Sequence, residues 1–115
     1  MKTFVSILIL TLILGCEDKN PAPETVPDCI QQVIEKIKQE PVWNPPAQVY
    51  RYAFKGQEVY YIPPRCCDIP GVVIANCDTL CAPDGGFSGK GDGRCPEFSK
   101  EAENPMLVWE DRRKP

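Results

Sequence analysis

Between residues 28 and 40 apolar side chains recur with a helical period. Ile30, Val33, Ile34 and Ile37 fall at i, i+3, i+4 and i+7, and Glu35, Lys36, Lys38 and Glu40 lie mostly off that stripe. The spacing predicts an amphipathic helix over 29–39. Asp28 is placed as its N-cap, Gln31 as the reciprocal partner, and Pro41 as its stop. From residue 48 the period changes to two. The runs QVYRYAF and QEVYYIPP flank Lys55-Gly56, the pattern of a β-hairpin. A two-residue loop sets Phe54 opposite Gln57, Tyr52 opposite Val59 and Tyr50 opposite Tyr61. Tyr50, Tyr52, Phe54, Val59 and Tyr61 then share one face, because strand side chains alternate. That tyrosine face is expected to receive the helix stripe. Val49, Arg51, Ala53, Glu58, Tyr60 and Ile62 occupy the more mixed opposite face, where Arg51 can reach Glu58.

Further along, Val72-Val73-Ile74 predicts a third strand and Thr79-Leu80-Cys81-Ala82 a fourth. Ser99–Asn104 suggests a helical turn, and Met106–Trp109 an edge strand. Trp43, in a proline-flanked connection, is expected to cover the edge of the core. The fold class is therefore α+β: one N-terminal amphipathic helix packed on a small, mostly antiparallel sheet.

The first hydrophobic run has another meaning. Lys2 is followed by an apolar stretch from Phe4 to Leu14, broken only by Ser6 and Thr11. It is short for a membrane span and fits a signal-peptide core. Ile13-Leu14-Gly15-Cys16 resembles the bacterial lipoprotein box, with isoleucine where leucine is more usual. The resemblance implies cleavage of residues 1–15 and lipidation of Cys16, including a palmitate-type acyl chain on the membrane anchor. Residues 16–27, polar and proline-rich after the lipid site, read as a flexible tether. Glu17-Asp18-Lys19 is compatible with a surface-export signal of Gram-negative bacteria or with an ordinary solvated cluster. The expected location is the cell envelope, lipid-anchored, in the outer membrane of a Gram-negative bacterium. The tail 112–115 is charged and expected to fray.

Composition narrows the chemistry. The chain has 115 residues, room for one domain, here assigned to 28–111. Thirteen basic residues against sixteen acidic ones leave no basic footprint for nucleic acid. There is no histidine, so the usual neutral-pH base and the commonest metal ligand are both missing. Seven cysteines in an exported chain mean disulfides. Setting Cys16 aside leaves Cys29, Cys66, Cys67, Cys77, Cys81 and Cys95, an even set with 15 possible connectivities. Cys66 and Cys67 are adjacent and point to opposite sides in extended backbone, so each is expected to take a different partner. Cys29 can tie the helix to the later cysteines.

The candidate site is the stretch from residue 83 to 94, with five glycines between Asp84 and Arg94. Asp84, Gly85, Gly86, Phe87, Lys90, Asp92 and Arg94 are its candidate binding residues. A phosphate-binding P-loop is rejected: Asp84 stands where the first glycine belongs, Gly91 replaces the Ser or Thr, and no helix follows. An EF-hand is rejected because Asp84 and Asp92 do not give alternating oxygen ligands. A lone calcium site on Asp84 and Asp92 with backbone carbonyls is the metal reading left open. No cofactor is expected. Catalysis is not expected either, because Ser88 has no histidine partner and Lys90 lies in an open loop.

The segments Val42-Trp43-Asn44-Pro45-Pro46, Val49-Tyr50-Arg51-Tyr52, Val59–Pro64, Cys66-Cys67-Asp68, Cys81-x-Pro83-Asp84-Gly85-Gly86 and Gly89-x-Gly91-Asp92-Gly93-x-Cys95-Pro96 together resemble a family of small uncharacterised bacterial lipoproteins carrying a domain of unknown function. The resemblance covers roughly 28–111. It implies architecture and location and supplies no activity. The first expectation for function is a non-catalytic binding or structural module that presents the glycine-rich loop to an envelope protein or polysaccharide. The alternatives are a protease-inhibitor-like module and a thiol or metal site on unpaired cysteines.

Overall fold

The structure, a computed structural model, describes residues 26–65 and 68–115. The expected signal segment, Cys16, nearly all of the expected tether, and Cys66 and Cys67 lie outside the described residues. Among the described residues no helix is long and apolar enough to cross a membrane.

Helix α1 (Asp28–Lys38) leads into strands β1 (Gln48–Phe54), β2 (Gln57–Ile62), β3 (Val72–Ala75) and β4 (Asp78–Cys81), then a short helix α2 (Phe98–Glu101) and strand β5 (Glu103–Glu110). The strands form one antiparallel sheet in the order β4-β3-β2-β1-β5. The hairpin has the register expected from the alternation: Tyr50 faces Tyr61, Tyr52 faces Val59 and Phe54 faces Gln57. Its loop residues Lys55 and Gly56 both have positive φ, 49° and 76°, as a tight hairpin turn requires. Arg51 and Glu58 pair across the strands at 2.9 Å. A second hairpin joins β3 to β4, and Asn76 and Cys77 at its turn again have positive φ, 49° and 65°.

Both faces of this sheet are covered, and the coverage reverses one expectation. The helix stripe does not pack on the face that carries Tyr50, Tyr52 and Tyr61. Ile30 and Ile34 of α1 bury against Val49, Tyr60, Ile62 and Val108, on the mixed face. The tyrosine face is covered instead by the chain after β4: Phe54, Val59, Val73, Cys81, Cys95 and Phe98 form a second core, flanked by Tyr52 and Tyr61. The physical reason is one of fit. Phe98 makes edge or tilted contacts with Tyr52, Phe54 and Tyr61 at centroid distances of 5.2–5.4 Å, a geometry aromatic pairs favour. Aliphatic Val49 and Ile62 match the isoleucines of α1.

Details at the ends of α1 also differ from expectation. The helix begins at Asp28, and Pro27 occupies the capping position without a side-chain cap. The Pro27 carbonyl accepts from the N–H groups of Ile30 and Gln31, and the Gln31 amide donates back to the Val26 carbonyl at 3.0 Å. Asp28 in the first turn and Lys36 and Lys38 in the last complement the helix dipole. Val26, read as tether, is buried in the first core. The charged tail is not wholly frayed. Arg113 donates to the carbonyls of Lys38 and Ile37 at 2.9 and 3.3 Å and to the buried carboxylate of Asp111 at 2.8 Å. It therefore fills the C-terminal end of α1, where backbone carbonyls lack helical partners.

Two disulfides lie among the described residues. Cys29 in the first turn of α1 bonds Cys77 at the tip of the second hairpin, and Cys81 bonds Cys95. These four cysteines consume one another, so none of them is left to pair with Cys66 or Cys67. The pairing expected of Cys66 and Cys67 lies outside the described residues.

Candidate functional site: a glycine-rich loop with an exposed aromatic tip

The loop leaves β4 at Cys81 and returns at Cys95, and the disulfide between those residues closes its neck. Within the neck the outgoing and returning segments are laced together. Asp92 donates its N–H to the Ala82 carbonyl at 2.8 Å, and its carboxylate accepts from the Ala82 N–H at 3.1 Å. The same carboxylate accepts from the Arg94 N–H at 2.9 Å. Hydrogen bonding by the Arg94 and Ala82 amides holds the Asp92 carboxyl below the usual carboxylate range. Further out, Gly91 N–H donates to Gly85, Gly85 N–H to Gly89, and Gly89 N–H to Gly86, at 3.1–3.3 Å. Gly91 cannot be another residue without rearrangement. It has φ of 73°, and a Cβ there would lie 1.9 Å from the Ala82 carbonyl oxygen.

The base of the loop is tied to the sheet. The Tyr61 hydroxyl donates to Asp84 Oδ2 at 2.5 Å, and the Asp84 carbonyl accepts from the Gly71 N–H at 3.0 Å. Burial, reinforced by the Asp84 carboxylate, pushes the Tyr61 phenol far above its ordinary value. The second carboxylate oxygen, Oδ1, is buried without a hydrogen-bond partner.

From this base the tip projects into solvent. Phe87 is 95% exposed, the most exposed of the large apolar side chains described. Ser88, Lys90 and Arg94 are exposed around it, and Arg94 stands 3.9 Å from Asp92. The seven candidate residues therefore divide into two groups. Asp84, Gly85, Gly86 and Asp92 build the loop, whereas Phe87, Lys90 and Arg94 face outward.

Both aspartates of the expected calcium site already accept hydrogen bonds within the fold. Asp84 serves Tyr61 and Asp92 serves the neck amides. Among the described residues no group of three or more cysteine or acidic side chains is placed to hold a metal ion. Four of the six candidate thiols are already disulfides, which removes them from a thiol or metal site.

Sequence reading missed one feature beside the loop. Trp43, Glu40 and Arg65 assemble at the edge of the first core: the Trp43 indole N–H donates to Glu40 at 2.8 Å, and Arg65 stacks on the Trp43 ring at 4.2 Å while donating to Glu40 at 3.2 Å. Nothing local predicts this, because Arg65 is 25 residues from Glu40. The only available signal was a tryptophan in an otherwise polar, proline-rich connection.

Residues 35–111 match the domain of unknown function DUF6970. The chain belongs to that family. The DUF6970 match takes in all five strands, both loop cysteines and the whole of the glycine-rich loop, and begins part-way along α1. No curated protein and no solved structure matches the chain.

Proposed function

We propose that this DUF6970 protein is a lipid-anchored module of the cell envelope that binds another macromolecule through the tip of its glycine-rich loop. One observation carries the reading: Phe87 is 95% exposed on a loop that disulfide, backbone and side-chain bonds already hold in place. An exposed aromatic costs the free protein solubility, whereas an aromatic entering a partner's pocket is a frequent source of binding energy. The prior ordering of the loop lowers the entropy lost on binding. Cys16, behind its apolar leader, supplies the anchor.

A photoreactive phenylalanine analogue at position 87 of the full chain, irradiated in intact producing cells, tests the reading. A discrete adduct should form. Excess wild-type full chain should compete it away, and Phe87→Ser chain should not. Absence of a discrete adduct, or equal competition by both chains, overturns the loop as the binding surface. For the anchor, the mature mass should show cleavage before Cys16 with acylation, and Cys16→Ala should release the protein from membranes. An inhibitor-like role on the same loop would instead appear as inhibition of a protease by wild-type chain and not by Phe87→Ser chain.

A further inference from the structure

A groove of about 310 Å³ runs between the C-terminal half of α1 and the ends of β2 and β3. Its walls are mostly apolar: Val33, Ile37, Trp43, Ile62, Ile69 and Val72. Ile69 on the rim is 41% exposed. The volume is at the lower end of small-ligand pockets, which combine apolar walls with a few placed polar groups.

The polar groups are unevenly charged. Lys36 and Arg65 bring two cations to the groove and Glu40 one carboxylate. Glu40 is committed on both sides, accepting from the Trp43 indole and from Arg65 Nη1. Lys36 forms no ion pair among the described residues. The Arg65 guanidinium carbon lies 4.2 Å from the centre of the Trp43 ring, and the Nε–H is buried with no acceptor. A buried guanidinium donor without an acceptor is costly in the free protein, so an incoming oxygen that meets it has an advantage. A carboxylate suits the planar edge of a guanidinium better than any neutral acceptor, because two parallel N–H groups can meet two oxygens.

We infer that this groove binds a small carboxylic acid with an apolar body, the carboxylate engaging Arg65 with Lys36 nearby and the body lying against Trp43, Ile62 and Ile69. The guanidinium turns on the Trp43 ring to present its Nε edge, and Glu40 keeps its bond to the indole. The inference does not depend on the loop reading: Pro70 lines the groove, and Phe87 does not.

The test uses full chain in lipid nanodiscs, labelled with fluorotryptophan. Trp43 and Trp109 are the two tryptophans, so each gives a separate fluorine resonance and Trp109 serves as the internal control. 4-Phenylbutyrate should shift the Trp43 resonance saturably and leave Trp109 unmoved. Its neutral amide should bind about tenfold more weakly or worse. Arg65→Gln should weaken phenylbutyrate to the level of the amide. Ile69→Gln, a change at an exposed rim position, should weaken acid and amide alike. Unsaturable or parallel shifts of both tryptophans would overturn the inference. So would equal binding of acid and amide to the wild type, a comparison that needs no variant to fold.

Discussion

Tyr61 and Asp84 are joined at 2.5 Å across 23 residues, and this bond fastens the glycine-rich loop to a central strand of the sheet. The Tyr61 ring belongs to the second core, so one side chain serves both packing and loop position.

Tyr61→Phe keeps the ring and removes the donor. The Asp84 carboxylate, whose Oδ1 already lacks a partner, would then lose its remaining side-chain bond. The expected loss is about 1–3 kcal/mol in urea unfolding. The phenol is raised in the folded state, so its contribution is complete below pH 10 and declines as pH rises toward the folded value. Wild-type chain should therefore lose stability above pH 10 more steeply than Tyr61→Phe.

The loop glycines should respond unequally to alanine. At Gly91 the new methyl meets the Ala82 carbonyl, so Gly91→Ala should cost about 2–4 kcal/mol and expose the loop to proteolysis. At Gly89 and Gly93 nothing lies within 4 Å of the added carbon. There the cost should be only about 1–2 kcal/mol, from the left-handed backbone alone. Chemical denaturation of the three variants gives the order directly, and equal losses would show that the Gly91 contact is not what limits the loop.

Peptide mapping without reduction should recover Cys29 linked to Cys77 and Cys81 linked to Cys95. A peptide carrying residues 66–67 should be linked to none of those four. In the chain-entropy account, removing the bridge over 14 residues costs about 3 kcal/mol and the one over 48 about 4 kcal/mol. The Cys81→Ser, Cys95→Ser double variant should accordingly be the milder of the two losses.

Acid should act partly through the tail. Hydrogen bonding from the Arg113 side chain holds the Asp111 carboxyl below its usual range. A depressed folded value means the stabilisation is present above the unfolded pKa, about 3.9, and disappears as pH falls through the folded value. Arg113→Ala should lower the melting temperature at pH 7 and lose less than wild type between pH 5 and pH 2. A variant with the wild-type acid profile would show that the bond to Asp111 is not stabilising.

Much of the architecture could be read from local pattern. The helix stripe, the Lys55-Gly56 hairpin and its register, and the β3 and edge strands are each encoded within a dozen residues, where period and turn chemistry suffice. The choice of sheet face was not legible. Both faces of the hairpin carry apolar side chains, and Phe98, which decides the matter, lies 44 residues beyond Phe54, its partner. The tail failed for the same reason: Arg113 earns its place from carbonyls 75 and 76 residues earlier. In the candidate site, the glycine spacing announced an unusual loop. Which of its residues face outward depended on Tyr61 and Ala82, which a linear reading cannot place beside Asp84 and Asp92.

The two disulfides also define a path for tension. A pull on Phe87 can extend only the residues between Cys81 and Cys95 before the covalent neck stops it. From Cys81 the strain runs back along β4 to Cys77, crosses to Cys29 and leaves the domain at Val26. Strands β1 to β3 lie off that route. A protein tugged between its N-terminal segment and its loop would stretch along a short covalent line while most of its hydrogen-bonded sheet stayed slack.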